Sequence, residues 1–257
     1  MTSVVDLVAA LGSGTILVVD LTNPLSSSTP TLRLPEPFAN LVDFSLEQVS
    51  AYDTPGPFWK HHNIRTGEHI GTHIDAPVHW ISGRDGHDVS QIPPARLVGP
   101  AAVMDFTAEA SADPDFLLEV HHVEAWIAEH GELAPGTWLL YRTGWDKYAH
   151  DQEQFLNVDE KGSHTPGMTA ACAEWLATTP ISGFGVETVG IDAGNAGGLE
   201  PPFPAHFHLL GSDKYGVTSL QNLAQLPPTG ALLVVAPLPI VGGTGSPTRV
   251  LALVDGQ

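Results

Sequence analysis

The chain has 257 residues, 42% hydrophobic and only 15% charged, with 26 Gly and 22 Pro, a profile that excludes a disordered polymer and calls for short, well-buried elements joined by many turns. Twenty-nine acidic against ten basic side chains give a formal charge of −19, which argues against nucleic acid or an anionic membrane as partner. That charge says little about a small substrate, because separations beyond ~8 Å of solvent are screened at physiological salt.

The length fits one core, so residues 1–257 are expected to form a single domain. The opening MTSVVDLVAALGSG carries Asp6 and no basic residue, and no apolar run approaches the ~20 residues of a membrane span, so a cytoplasmic protein is expected. Cys172 is the only cysteine; it reads as a buried thiol in a reducing compartment.

The first predicted strand is Thr15 to Leu21, almost wholly apolar and therefore expected to be buried on both faces. From Asn23 to Pro37, Pro and Ser break any ladder and predict a long surface excursion of the kind that borders sites. Further strands are expected at Val98 to Phe106, Thr137 to Arg142, Ile181 to Val186, Ala231 to Leu238 and Arg249 to Val254. A helix over Glu119 to His130 puts Val120, Val123 and Ile127 on one face, with Gly131 as its stop. A second is expected to start with Thr165 as N-cap and Pro166 at its first position, carrying an apolar stripe of Met168, Cys172, Trp175 and Leu176. More strand than helix, without regular βαβ alternation, predicts an α+β fold.

The chemistry concentrates in GEHIGTHIDAPVHW, where His69, His73, Asp75 and His79 fall within eleven residues. Imidazole nitrogens and a carboxylate suit a borderline divalent cation, and three protein ligands leave room for water and substrate. Gly71, the β-branched Thr72 and Ile74, and Pro77 oppose a helix. In an extended segment His73 and Asp75 share a face, and His69 joins them if the chain bends at Gly71. Parity puts His79 on the same side unless Pro77 redirects it, and a histidine near the metal but outside its ligand set can move protons.

The segment H-x-G-T-H-x-D-x-P-x-H resembles the hallmark of the cyclase-like metal-dependent hydrolases, which include bacterial kynurenine formamidases and isatin hydrolases. The likeness extends through DLTNPLS at Asp20 to Ser26, RTGW at Arg142 to Trp145, GVETVGIDAG at Gly185 to Gly194 and GGTGSP at Gly242 to Pro247. It implies a swivelling β/β/α domain with a mixed sheet, assembled as a homodimer or higher oligomer, in which His69, His73 and Asp75 hold the metal and His79 is the general acid/base. It also implies hydrolysis of a carbon–nitrogen bond in an amide.

Relatives of the formamidase type add a C-terminal histidine and glutamate that complete a two-zinc site. Here the histidine is His206 or His208, with His206 the better ligand or neighbour. Gln221 stands where the glutamate is expected, although another offset brings Thr218 into register. A neutral residue there removes charge that two close cations need, so one metal is expected. Gln221 as a ligand is similar to the isatin hydrolases, with manganese as the metal and zinc as the alternative. Phe58 and Trp59 are expected to wall a flat ring. The leading expectation is opening of a cyclic amide, isatin or a related γ-lactam. Hydrolysis of N-formylkynurenine is the second, and a noncatalytic metal-binding protein the third.

Overall fold

The computed structural model describes residues 3–256. It opens with helix α1 (Val4–Ser13), started by a capping box in which Ser3 and Asp6 each accept from the other's backbone N–H. Strand β1 (Ile16–Asp20) follows, and then no regular element appears until a hairpin of β2 (Ser45–Ala51) and β3 (Lys60–Arg65). The chain continues through β4 (His73–Asp75), β5 (Val98–Asp105), α2 (Thr107–Ala112), β6 (Leu117–Leu118), α3 (Val120–His130), β7 (Trp138–Arg142) and α4 (Gln152–Leu156). It ends with β8 (Val158–Asp159), β9 (Gly162–Ser163), β10 (Gly167–Met168), α5 (Ala170–Thr178), β11 (Gly183–Val186), β12 (Tyr215–Thr218), β13 (Ala231–Pro237) and β14 (Gly245–Asp255).

Eight strands form a mixed sheet in the order β1-β14-β13-β5-β7-β11-β12-β4, and a second pairing of β14 with β4 closes the last seven into a barrel. Strands β5, β7, β11 and β12 are parallel, and the remaining pairings are antiparallel. The closure rests on the eleven residues of β14, whose first three face β4 while later ones pair with β13 and β1. Closing the sheet leaves fewer backbone groups without a ladder partner.

Side chains alternate across this wall with period two. Val103 and Leu140 join Trp138, Val217, Leu233 and Val250 in one apolar cluster. Met104, Leu139 and Tyr141 join Val123 of α3 and Cys172 and Leu176 of α5 in a second. The result is the α+β arrangement with a mixed sheet that the sequence predicts. Cys172 is fully buried, which pushes its thiol up to about 12.

Two expectations fail. The first strand is not buried on both faces: β1 pairs only with β14, and Leu17 and Val18 are exposed. The second helix starts later than Thr165 and Pro166, because Gly167 and Met168 pair in parallel with Leu117 and Leu118 and Thr169 supplies the cap by accepting from Cys172 N–H. Among the described residues no helix is long and apolar enough to cross a membrane.

Candidate metal and active site

The histidine-rich segment is extended, as its composition requires, and it turns at Gly71. That residue has φ +64°, and a Cβ there would meet the Leu25 side chain at 2.6 Å, so glycine is favoured on both counts. Strand β4 then runs between β12 and β14, with Thr218 and Pro247 opposite His73 and Gly216 and Gly245 opposite Asp75. Gly216 leaves the space Asp75 needs, since a Cβ would come within 2.8 Å of its Oδ2. Beyond Asp75, Pro77 begins a single 3-10 turn to His79, closed by His79 N–H donating to Ala76. The turn redirects His79 back over His69, and the two rings stack with centroids 3.9 Å apart.

Asp75 is the centre of this arrangement. It is 1% exposed, with Oδ1 2.8 Å from His69 Nδ1 and 3.4 Å from His73 Nε2. Burial opposes its charge, but the charge of His73 and hydrogen bonds from His69 and His73 overcome that and hold the carboxyl well below its ordinary range. Its Oδ2 is buried without a hydrogen-bond partner. The Nδ1–H of His73 donates to the Gly71 carbonyl at 2.7 Å, so when the ring gives up the proton that Nε2 shares with Asp75 the tautomer is fixed and Nε2 becomes a ligand atom. His79 has its pKa pushed down to about 3, first by burial and then by the neighbouring His69, His206 and His73, against the pull of Asp75. It is therefore neutral near pH 7.

Residues far along the chain complete the site. His206 Nε2 lies 3.9 Å from Asp75 Oδ2, and its Nδ1 is 2.5 Å from Asp192. Asp192 also accepts from the Ala205 and His206 N–H groups. Burial disfavours the charged His206 ring, yet the bond and charge of Asp192, aided by Asp75, raise its pKa above the usual value. On the opposite side His69 Nε2 is 2.8 Å from the Thr244 hydroxyl, which donates to Glu68. Reasoning from sequence missed Asp192, Glu68 and Thr244 as partners. All three lie in or beside the quoted motifs, but nothing in the spacing says which ring each one meets.

His206 thus joins the cluster, while His208 turns towards Phe207 outside it. Gln221 does not join: its N–H donates to Leu21 and its side-chain amide to Leu220. The residue opposite His73 is Thr218, whose hydroxyl is 3.0 Å from His73 Nδ1. Antiparallel register decides this, and Thr218 is as uncharged as the glutamine expected in its place.

Above the cluster lies a cavity of about 340 Å³. His69, His73, Asp75, His79 and His206 floor it, and Leu32 and Leu34 from the Pro/Ser-rich excursion, with Leu41 just after it, cover it. The aromatic wall expected from Phe58 and Trp59 is absent from this chamber. Phe58 is 84% exposed, and both residues lie just before β3, in a hairpin that pairs only with itself. Their apolar character marks a different surface.

A buried carboxylate oxygen with no donor, ringed by imidazoles, is costly unless a cation meets it. His69, Asp75 and His79 each present a ligand atom within 4.8 Å of the others, and His73 Nε2 points at the same carboxylate. The donor set fits a divalent metal of intermediate softness.

Comparison with known proteins agrees with this chemistry. Over 249 residues, 96% of this chain and 95% of the relative, the sequence is 49% identical to an isatin hydrolase of Roseibium aggregatum. A kynurenine formamidase of Salinibacter ruber is 30% identical over 73% of this chain and 76% of its own length. The fold superposes on a crystal structure of an isatin hydrolase bound to the product analogue thioisatinate with a TM-score of 0.96, 47% identity and 98% coverage of both chains. Since the Cyclase family model also matches residues 19–193, the chain belongs to the cyclase family.

Proposed function

We propose that this protein is a metal-dependent hydrolase that opens the cyclic amide of isatin or a related γ-lactam, using one divalent metal, manganese or alternatively zinc. The observation that carries the reading is the donor-free Oδ2 of Asp75, buried among histidines beneath an apolar chamber. Similarity to the isatin hydrolase across nearly the whole chain supports the substrate class. His69, His73 and Asp75 would hold the metal. His73 is preferred to His79 as a ligand because its Nδ1–H is anchored to a carbonyl, whereas the His79 ring is held by stacking on His69. His206, braced by Asp192, faces the remaining oxygen of Asp75. One metal is favoured because Thr218, not a carboxylate, stands opposite His73. Gln221 was expected as a further ligand, and its placement gives that role no support.

When bound, the cation would acidify water and polarise the amide carbonyl. The chain's own residues then do the following. Leu32, Leu34 and Leu41 cover the chamber and exclude bulk water, which strengthens every charge inside. His79, neutral at physiological pH, takes a proton from the attacking water at an imidazole nitrogen. The same ring then returns the proton to the amide nitrogen as the carbon–nitrogen bond breaks. The ring opens to a carboxylate and an amine that remain in one molecule.

The reading includes one hydrolase domain over residues 1–257, a cytoplasmic location, and no nucleic-acid or membrane partner. It also includes a homodimer or higher homo-oligomer. The β2–β3 hairpin pairs with no other strand and exposes Leu46, Phe58, Trp59 and Ile64; an isolated two-stranded hairpin is marginal in water. The function is tested by assaying manganese-loaded enzyme against isatin, a bicyclic γ-lactam and N-formylkynurenine, with metal stoichiometry measured by mass spectrometry. Fastest turnover is expected with isatin and one metal per chain. Preference for the formyl substrate would replace this reading with an arylformamidase.

A further inference from the structure

The chamber over the histidines is not the only space the excursion loop covers. A second cavity of about 570 Å³ adjoins it, and four residues, Leu32, Leu34, Val189 and Gly190, line both. The two volumes therefore share a wall made of two leucines on one side and a Val-Gly step on the other. At Gly190 that wall is thin: a Cβ built there meets nothing within 4 Å, and the backbone is not in the left-handed region reserved for glycine. A side chain at this position, which lines both cavities, would project into open space, and its absence is not forced by the backbone.

The second cavity is bounded by Leu156, Val158 and Phe203, with Arg33 and Asp192 as its charged residues. Neither charge is free. Arg33 is paired with Asp43 at 2.6 Å, and both Asp192 oxygens are taken by Ala205 and His206. Ser163, also on the wall, donates to the Leu156 carbonyl. Thr165 adds a hydroxyl to this wall and the remaining side chains are apolar, so the space suits an uncharged, largely apolar group.

Resting on the reading of the first chamber as the site of lactam opening, we propose that the preferred substrate is an isatin-type lactam bearing an aryl or benzyl substituent. The reacting amide sits over the histidines, and the substituent passes Gly190 into the second cavity. Two residues then set specificity without touching the reacting atoms: Gly190 at the neck and Val158 at the outer rim, which is 63% exposed and accepts a larger side chain at the surface.

The test compares kcat/KM of the metal-loaded enzyme for isatin and for isatins carrying benzyl at each ring position in turn. At least one isomer is expected to exceed isatin by about tenfold or more, the scale on which small apolar differences are discriminated. Val158→Trp should lower the ratio of that isomer to isatin about tenfold, and Gly190→Val should lower it as well. Failure of every isomer to exceed isatin, or loss of both substrates by the same factor in Val158→Trp, overturns the proposal. Calorimetric affinities for the same compounds separate it from the parent reading. Tighter binding of one benzyl isomer that Val158→Trp abolishes supports the second cavity even where no substrate is turned over, and equal affinities refute it.

Discussion

The barrel strand that carries the histidines and the loop layer laid over them are built on opposite principles. Strand β4 is only three residues long, yet it is hydrogen-bonded on both sides and its side chains are fully buried. The excursion between β1 and the hairpin has no regular element over more than twenty residues, and its leucines are partly exposed. Chemistry that needs fixed geometry is placed where neighbours fix it, and substrate fit is left to a surface layer with fewer constraints. The difference can be attacked from either side.

The largest effect should come from emptying the braced side. His73→Ala or Asp75→Ala removes a proposed ligand held by the ladder, so metal binding should weaken ~100-fold or more and hydrolysis fall to background. Mass spectrometry of metal per chain checks this, and full occupancy in His73→Ala would refute the ligand assignment. His79→Ala should act differently, lowering kcat by ~10²–10⁴ while metal content stays as in the wild type. Equal loss of metal in both variants would erase the distinction drawn between His73 and His79.

How much of this contrast was readable in the residues depends on the range of the interaction. The bend at Gly71 and the shared face of His69, His73 and Asp75 are local, and period-two geometry gives them directly. The strands β5, β7, β11, β13 and β14 announce themselves as apolar runs because they line the clusters on the two faces of the barrel. Register across 145 residues is not local: whether Thr218 or Gln221 faces His73 depends on a ladder that two candidate histidines could not fix. The pairing of Asp192 with His206 was hidden in the same way. That Phe58 and Trp59 lie away from their own chain's chamber was hidden for a different reason, since an aromatic pair near a motif looks the same whether it covers the chain's own site or another surface.

The braced side also carries a buried acid that the chemistry leaves unused. Glu187, 1% exposed just beyond β11, accepts from Thr143 N–H, the Thr143 hydroxyl and Trp145 N–H on a single oxygen. Burial, then the charge of Asp146, pushes its pKa up to about 7 despite these bonds. A carboxyl whose folded pKa exceeds its unfolded value favours the fold while protonated, and that contribution is lost as pH rises from near 4.5 through 7. The swing is about 3 kcal/mol. Glu187→Gln keeps the accepting oxygen and removes the charge, so it should gain stability over wild type at about pH 8 and little at about pH 5 in urea melts. The same gain at both values would show that the group does not titrate in this window.

The smallest effect is predicted for the cover, and it is the sharpest probe of the contrast. Leu34 lines the chamber over the histidines yet is 39% exposed, so part of its apolar surface is left for whatever lies beneath it. Truncation to alanine removes three carbons at ~0.8 kcal/mol each when fully buried, and about half that for a side chain partly open to solvent. Leu34→Ala should therefore raise KM roughly fivefold, corresponding to about 1 kcal/mol of substrate contact. Because the groups proposed to break the bond lie on β4 and in the turn after it, kcat should change little, and the urea midpoint should stay close to wild type. A fall in kcat with unchanged KM would show that the loop positions the reacting groups, and the division between a rigid chemical floor and an adaptable cover would not hold.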